Sequence, residues 1–108
     1  MEINEKISAV VTGGASGLGE ATARMLSAMG ANVAIFDLDE NKGLAISEEI
    51  NSDFYKVDVT DTNSVNQAVS SFLKQNEGIQ IVVNCAGIGP AAKTVYEVNL
   101  IQANYLQK

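Results

Sequence analysis

The chain has no histidine and one cysteine, Cys85. That leaves no internal disulfide to call for an oxidising compartment, and it argues against a structural zinc site, which draws on clustered Cys and His. Basic residues are scarce: 7 Lys and Arg stand against 13 Asp and Glu, a net charge of −6. Nucleic acid and anionic membrane select for basic surfaces, so neither is expected as a partner. No apolar run approaches membrane-spanning length. Met1-Glu2-Ile3-Asn4-Glu5 carries two acids and no arginine, unlike a secretory signal or a transit peptide. There are no repeats, no low-complexity tracts and no Pro/Gly/Ser-rich linker. The expectation is one soluble, cytoplasmic domain spanning the 108 residues. Its 46% apolar and 19% charged content suits a packed core rather than disorder.

Against these absences, one stretch is rich in glycine: Thr12-Gly13-Gly14-Ala15-Ser16-Gly17-Leu18-Gly19. The apolar, partly β-branched run Ile7 to Val11 before it predicts a buried strand. After it, Leu18, Ala21, Met25, Leu26 and Met29 recur at helical spacing, with Glu20 and Arg24 on the other face, predicting an amphipathic helix. A glycine-rich turn between a strand and a helix lets backbone approach a ligand closely. It also aims unpaired N–H groups and the positive end of the helix dipole at an anion, so it reads as a phosphate cradle. The alternative is a glycine turn with no ligand. The standard G-x-G-x-x-G fingerprint is not met, because Gly17-Leu18-Gly19-Glu20-Ala21-Thr22 ends in threonine.

Gly30-Ala31-Asn32 suits a helix C-cap and turn. Val33 to Phe36 predicts a second strand, ending in Asp37-Leu38-Asp39. Asp37 stands 18 residues beyond Gly19, near the distance at which an acid meets the adenosine ribose of a dinucleotide. Its carboxylate would accept from the ribose hydroxyls and repel a 2′-phosphate, and no Lys or Arg lies near it, so NAD is favoured over NADP. Asp39 suits the alternative role of helix cap. A helix over residues 40–51 follows, with Leu44, Ile46 and Ile50 as its apolar side and Gly43 obscuring its start. Asp53 to Val57 predicts a third strand. Asp61 or Thr62 caps a third helix carrying Val65, Ala68, Val69, Phe72 and Leu73. Residues 79–83 predict a fourth strand, leading to Asn84-Cys85-Ala86-Gly87. Four strand–helix alternations with short connections predict an α/β, Rossmann-type doubly wound parallel sheet. Its expected strand order is 3-2-1-4, with the nucleotide over the carboxyl ends of the strands.

The T-G-x-x-x-G-x-G run of Thr12 to Gly19, with Asp37, Asp58-Val59 and Asn84-Cys85-Ala86-Gly87 in order, resembles the short-chain dehydrogenase/reductase family. The resemblance implies an NAD cradle at Thr12, Gly13, Ser16, Gly17, Leu18 and Gly19, with Asp37 and Leu38 at the ribose. It implies Asp58 and Val59 at the adenine, and an N-x-A-G motif at residues 84–87 that supports the sheet and borders the cofactor. Cys85 reads as a small buried hydrophobe. Val83 to Ile88 followed by Ala92-Lys93-Thr94 looks like the type II 3-hydroxyacyl-CoA dehydrogenases, implying NAD-dependent oxidation of a secondary alcohol. Two departures stand out. The stretch between N-x-A-G and Val98-Asn99-Leu100 is shorter than in the family. The family's catalytic serine and Tyr-x-x-x-Lys are also missing: Tyr105 and Lys108 are three apart, and no serine follows a fifth strand. Asn99 matches the family's helix asparagine. The expectation is a truncated NAD-binding half without turnover of its own. Alternatives are an interaction fragment that self-associates through an exposed fourth-strand edge, or a chain too open to fold stably.

Overall fold

The computed structural model describes residues 1–85 and 97–100. In chain order the elements are β1 (Ser8–Thr12), α1 (Gly17–Ala28), β2 (Asn32–Asp37), α2 (Glu40–Ile50), β3 (Asp53–Lys56), α3 (Thr62–Leu73), β4 (Ile81–Asn84) and β5 (Glu97–Leu100). The sheet runs β3-β2-β1-β4-β5. The first three pairings are parallel, with Val10 opposite Ala34 and Val82, and Ile35 opposite Phe54. The doubly wound 3-2-1-4 order read from the sequence is therefore present.

Alternation along each strand divides the core into two layers. Ala9, Val11, Val33, Ile35, Ile81 and Val83 face one side and pack with Ala23 and Leu26 of α1 and Ile46 of α2. Val10, Ala34 and Phe36 face the other and pack with Ala68 and Phe72 of α3. Tyr55 meets both Phe36 and Phe72 edge-on, an arrangement that suits the ring quadrupoles. Val65, Val69 and Leu73 pack on this second layer, as their spacing predicts. Asp61 caps α3 by accepting from the Asn63 and Ser64 N–H groups, and Asp39 caps α2 by accepting from Lys42 N–H. The turn after α1 uses Gly30 at φ 97°, where a side chain would be strained.

Three expectations need correction. The first is the edge of β4, expected to be exposed and available for self-association. It is taken by β5, which pairs antiparallel with Ile81 opposite Leu100 and Asn84 opposite Glu97. The connection over residues 85–96 is at the lower limit of the dozen or so residues that a parallel crossover needs, whereas an antiparallel return needs only a loop. The second follows from it: Asn99 lies in this strand, opposite Val82, and not on a helix. The third is the buried face of two helices. In α1, Gly19, Ala23 and Leu26 are buried while Leu18, Met25 and Met29 are about half exposed. In α2, Gly43, Ile46 and Ser47 are buried and Leu44 is exposed. Small residues set the contact faces because they allow the closest approach. The Phe54 ring packs directly over the α2 backbone at Gly43, where a Cβ would meet that side chain rather than backbone.

Candidate functional site

The carboxyl ends of β1, β2, β3 and β4 meet at one end of the sheet, around a cavity of about 380 Å³. The glycine loop contributes Gly13, Ser16, Gly17, Leu18 and Gly19 to its wall. Phe36, Asp37 and Leu38 come from the end of β2, Val57 and Val59 from beyond β3, and Cys85 from the end of β4. Nine residues singled out from sequence thus converge on one space: Gly13, Ser16, Gly17, Leu18, Gly19, Asp37, Leu38, Val59 and Cys85. Phe36 and Val57 were not foreseen. The signal was their place as the last apolar residues of the second and third strands.

Local constraints explain the loop's shape. Gly13 and Gly17 adopt φ of 67° and 57°, which disfavours side chains. The Gly13 N–H donates to the Phe36 carbonyl at 2.8 Å, extending the β1–β2 ladder into the loop. A Cβ on Gly19 would lie 1.9 Å from the Gly13 carbonyl oxygen, so the first turn of α1 closes onto the loop only because position 19 is glycine. The Ala15 N–H donates to Asp37 Oδ2 at 3.0 Å. Asp37 Oδ1 accepts from the Asp39 N–H at 2.9 Å.

The N-terminus of α1 is where charge matters. Ser16 occupies the N-cap position in extended conformation but makes no side-chain capping hydrogen bond, whereas α2 and α3 are both capped by aspartates. The first N–H groups of a helix have no intrahelical partner, and the dipole places roughly half a positive charge there. Those of α1 open onto the cavity wall. Backbone groups so placed suit an anion, and among the described residues no lysine or arginine lines the cavity.

Three predicted residues flank the cavity. Thr12 is buried and ties β1 to β4: its hydroxyl donates to Asn84 Oδ1 at 3.0 Å and accepts from the Cys85 N–H at 3.2 Å. Asp58 Oδ1 accepts from the Thr60 hydroxyl at 2.6 Å and the Thr60 N–H at 2.9 Å. Those bonds, the hydroxyl first, hold its carboxyl below the ordinary value. Burial pushes the Cys85 thiol above its ordinary value, partly offset by a hydrogen bond with Thr22. Ala86 and Gly87 lie outside the described residues. Among the described residues, no group of three His, Cys, Asp or Glu is placed to hold a metal, and no helix is long and apolar enough to cross a membrane.

Comparison with known proteins agrees with this geometry. The sequence model described as short chain dehydrogenase matches residues 8–104. The 3-hydroxyacyl-CoA dehydrogenase type-2 of Drosophila melanogaster is 41% identical over 87 residues, covering 79% of this chain and 34% of that protein. The Bos taurus protein of the same name is 37% identical over 101 residues, covering 92% of this chain and 38% of its own length. A Brucella melitensis 3-ketoacyl-(acyl-carrier-protein) reductase, solved with NADH, superposes with a TM-score of 0.74 at 31% identity, over 81% of this chain and 36% of that one. The chain spans about a third of the length of these relatives. A family-model match running from β1 past β5, with relatives 37% and 41% identical over most of the chain, places the chain in the short-chain dehydrogenase family.

Proposed function

We propose that this chain is the NAD-binding portion of a short-chain dehydrogenase. The observation that carries the reading is the uncapped N-terminus of α1, opening onto the cavity at the carboxyl ends of the strands. The backbone N–H groups of Ser16, Gly17, Leu18 and Gly19 would hold the pyrophosphate, with Gly13 giving it room. Asp37 would accept from the ribose hydroxyls and repel a 2′-phosphate, which selects NAD over NADP. Leu38 and Val59 would flank the adenine, with Asp58 at its amino group. Thr12 and Asn84 would hold the strand ends in register beneath the cofactor, and Cys85, Ala86 and Gly87 would border it. Bound NAD supplies the hydride acceptor.

The names of the relatives support, as the parent reaction, oxidation of a secondary alcohol such as a 3-hydroxyacyl-CoA. That chemistry needs a base for the hydroxyl proton, and in this family a lysine-assisted tyrosine serves. The 108 residues contain no Tyr-x-x-x-Lys. The only titratable side chains lining the described cavity are Asp37 and Cys85. The chain alone therefore binds and orients the cofactor without turning it over.

Thermal melts with increasing NAD test this. Ligand linkage gives about 2.7 kcal/mol at a hundred times Kd, a rise on the order of 10 °C for a domain of this size. NADP should raise the midpoint less. A midpoint indifferent to millimolar NAD would overturn the reading, and NADH formation from a 3-hydroxyacyl-CoA would overturn the absence of turnover.

A further inference from the structure

Asp37 is marked by the sequence for one task, at the ribose. The structure gives its carboxylate another. Oδ2 accepts from the Ala15 N–H at 3.0 Å and Oδ1 from the Asp39 N–H at 2.9 Å, so each oxygen already holds a backbone group. A carboxylate presents about four lone-pair positions, and those left over remain for a ligand in the cavity that Asp37 lines. The loop is anchored at its start by the Gly13 N–H on the Phe36 carbonyl and by Gly14 packing against Ile35, and at its end by entry into α1 at Gly17. Between these anchors, the Ala15–Asp37 bond ties it to β2. Ala15 is buried, only 2% exposed, so water is poorly placed to replace that acceptor.

We propose that Asp37 is a positioning residue for the glycine loop as well as the ribose-binding acid, so that the phosphate cradle and the ribose subsite stand or fall together. This rests on the nucleotide reading above. Its consequence concerns specificity. Removing the carboxylate to admit a 2′-phosphate also slackens the loop that holds the pyrophosphate. Asp37→Ala therefore loses NAD without a matching gain in NADP. Asparagine keeps one acceptor oxygen, enough for one of the two backbone bonds, and falls between.

The test uses the whole chain as wild type, Asp37→Ala and Asp37→Asn, with two measurements. The first is amide hydrogen exchange at Ala15 without nucleotide, read against Val11 in the β1 ladder. The second is affinity for NAD and for an NAD analogue lacking both adenosine-ribose hydroxyls, which cannot use Asp37 through the ribose. Asp37→Ala should speed Ala15 exchange about tenfold while Val11 holds. It should also weaken the analogue by about threefold to tenfold, the worth of one hydrogen bond. Asp37→Asn should show a smaller change in both, and it carries the comparison if the alanine variant does not fold. Equal analogue affinity in all three proteins, or unchanged Ala15 exchange, would sink the proposal. If wild type binds no NAD, the nucleotide reading fails, and Ala15 exchange alone then decides whether Asp37 anchors the loop.

Discussion

Replacing Gly19 by alanine is the sharpest probe of how the site is built. The added Cβ would stand 1.9 Å from the Gly13 carbonyl oxygen, 2.6 Å from its carbon and 3.1 Å from Gly14 Cα. All three are backbone atoms, so no rotamer change relieves the clash, and α1 must part from the loop by about 1 Å. Overpacking of this kind costs about 1–3 kcal/mol, here at the upper end, and alanine's better helix propensity returns about 1 kcal/mol. The net loss of about 1–2 kcal/mol corresponds to a fall of roughly 5–15 °C in Tm. Gly43→Ala is the matched control. Its Cβ would come equally close, 2.0 Å, but to the ring of Phe54, a half-buried side chain able to turn aside. Its clash falls at the low end of the same range and nearly cancels against the gain in propensity. Differential scanning calorimetry with and without NAD separates the two. Gly19→Ala should melt lower and lose most of the NAD-induced rise, because the displaced atoms belong to the cradle. Gly43→Ala should keep both. Equal midpoints for the two variants, or an unchanged NAD response in Gly19→Ala, would refute the argument from close approach.

Two further outcomes follow from the titratable groups. Thr60→Val removes the hydroxyl bond to Asp58 but keeps the backbone one, so the Asp58 carboxyl should titrate closer to its ordinary value by NMR; no change would show that the hydroxyl bond is absent in solution. Because that carboxyl is lowered in the folded chain, its stabilising contribution is present above the ordinary carboxylate range and is lost as pH falls through the lowered value. Cys85, with its thiol raised by burial, should react slowly with iodoacetamide at neutral pH, faster as pH rises past the ordinary thiol range, and more slowly still with NAD bound. Rapid labelling at neutral pH that is indifferent to NAD would place Cys85 away from the site.

Much of this architecture is carried by local chemistry. Apolar runs ending in polar residues mark β1, β2 and β4. Asp39 and Asp61 cap the helices they precede, and the spacing in α3 names the residues that it buries, because strand runs, caps and clear amphipathic stripes depend on near neighbours. The convergence of the glycine loop, Asp37, Val59 and Cys85 was likewise legible, since parallel strands bring their carboxyl ends to one side. Tertiary structure decided the rest. Helical spacing points to Leu18, Ala21, Met25, Leu26 and Met29 as the inner face of α1, yet of these Leu26 alone is buried, and Gly19 and Ala23 face inward with it, because closeness to the loop and sheet outweighs side-chain size. Val98, Asn99 and Leu100 belong to a strand only because β4 offers an edge to pair with, a partner that no local window contains. Asp37 reads from its position as a ribose ligand. That it also holds the Ala15 N–H follows from the loop folding back over β2, bringing together residues 22 apart in the chain.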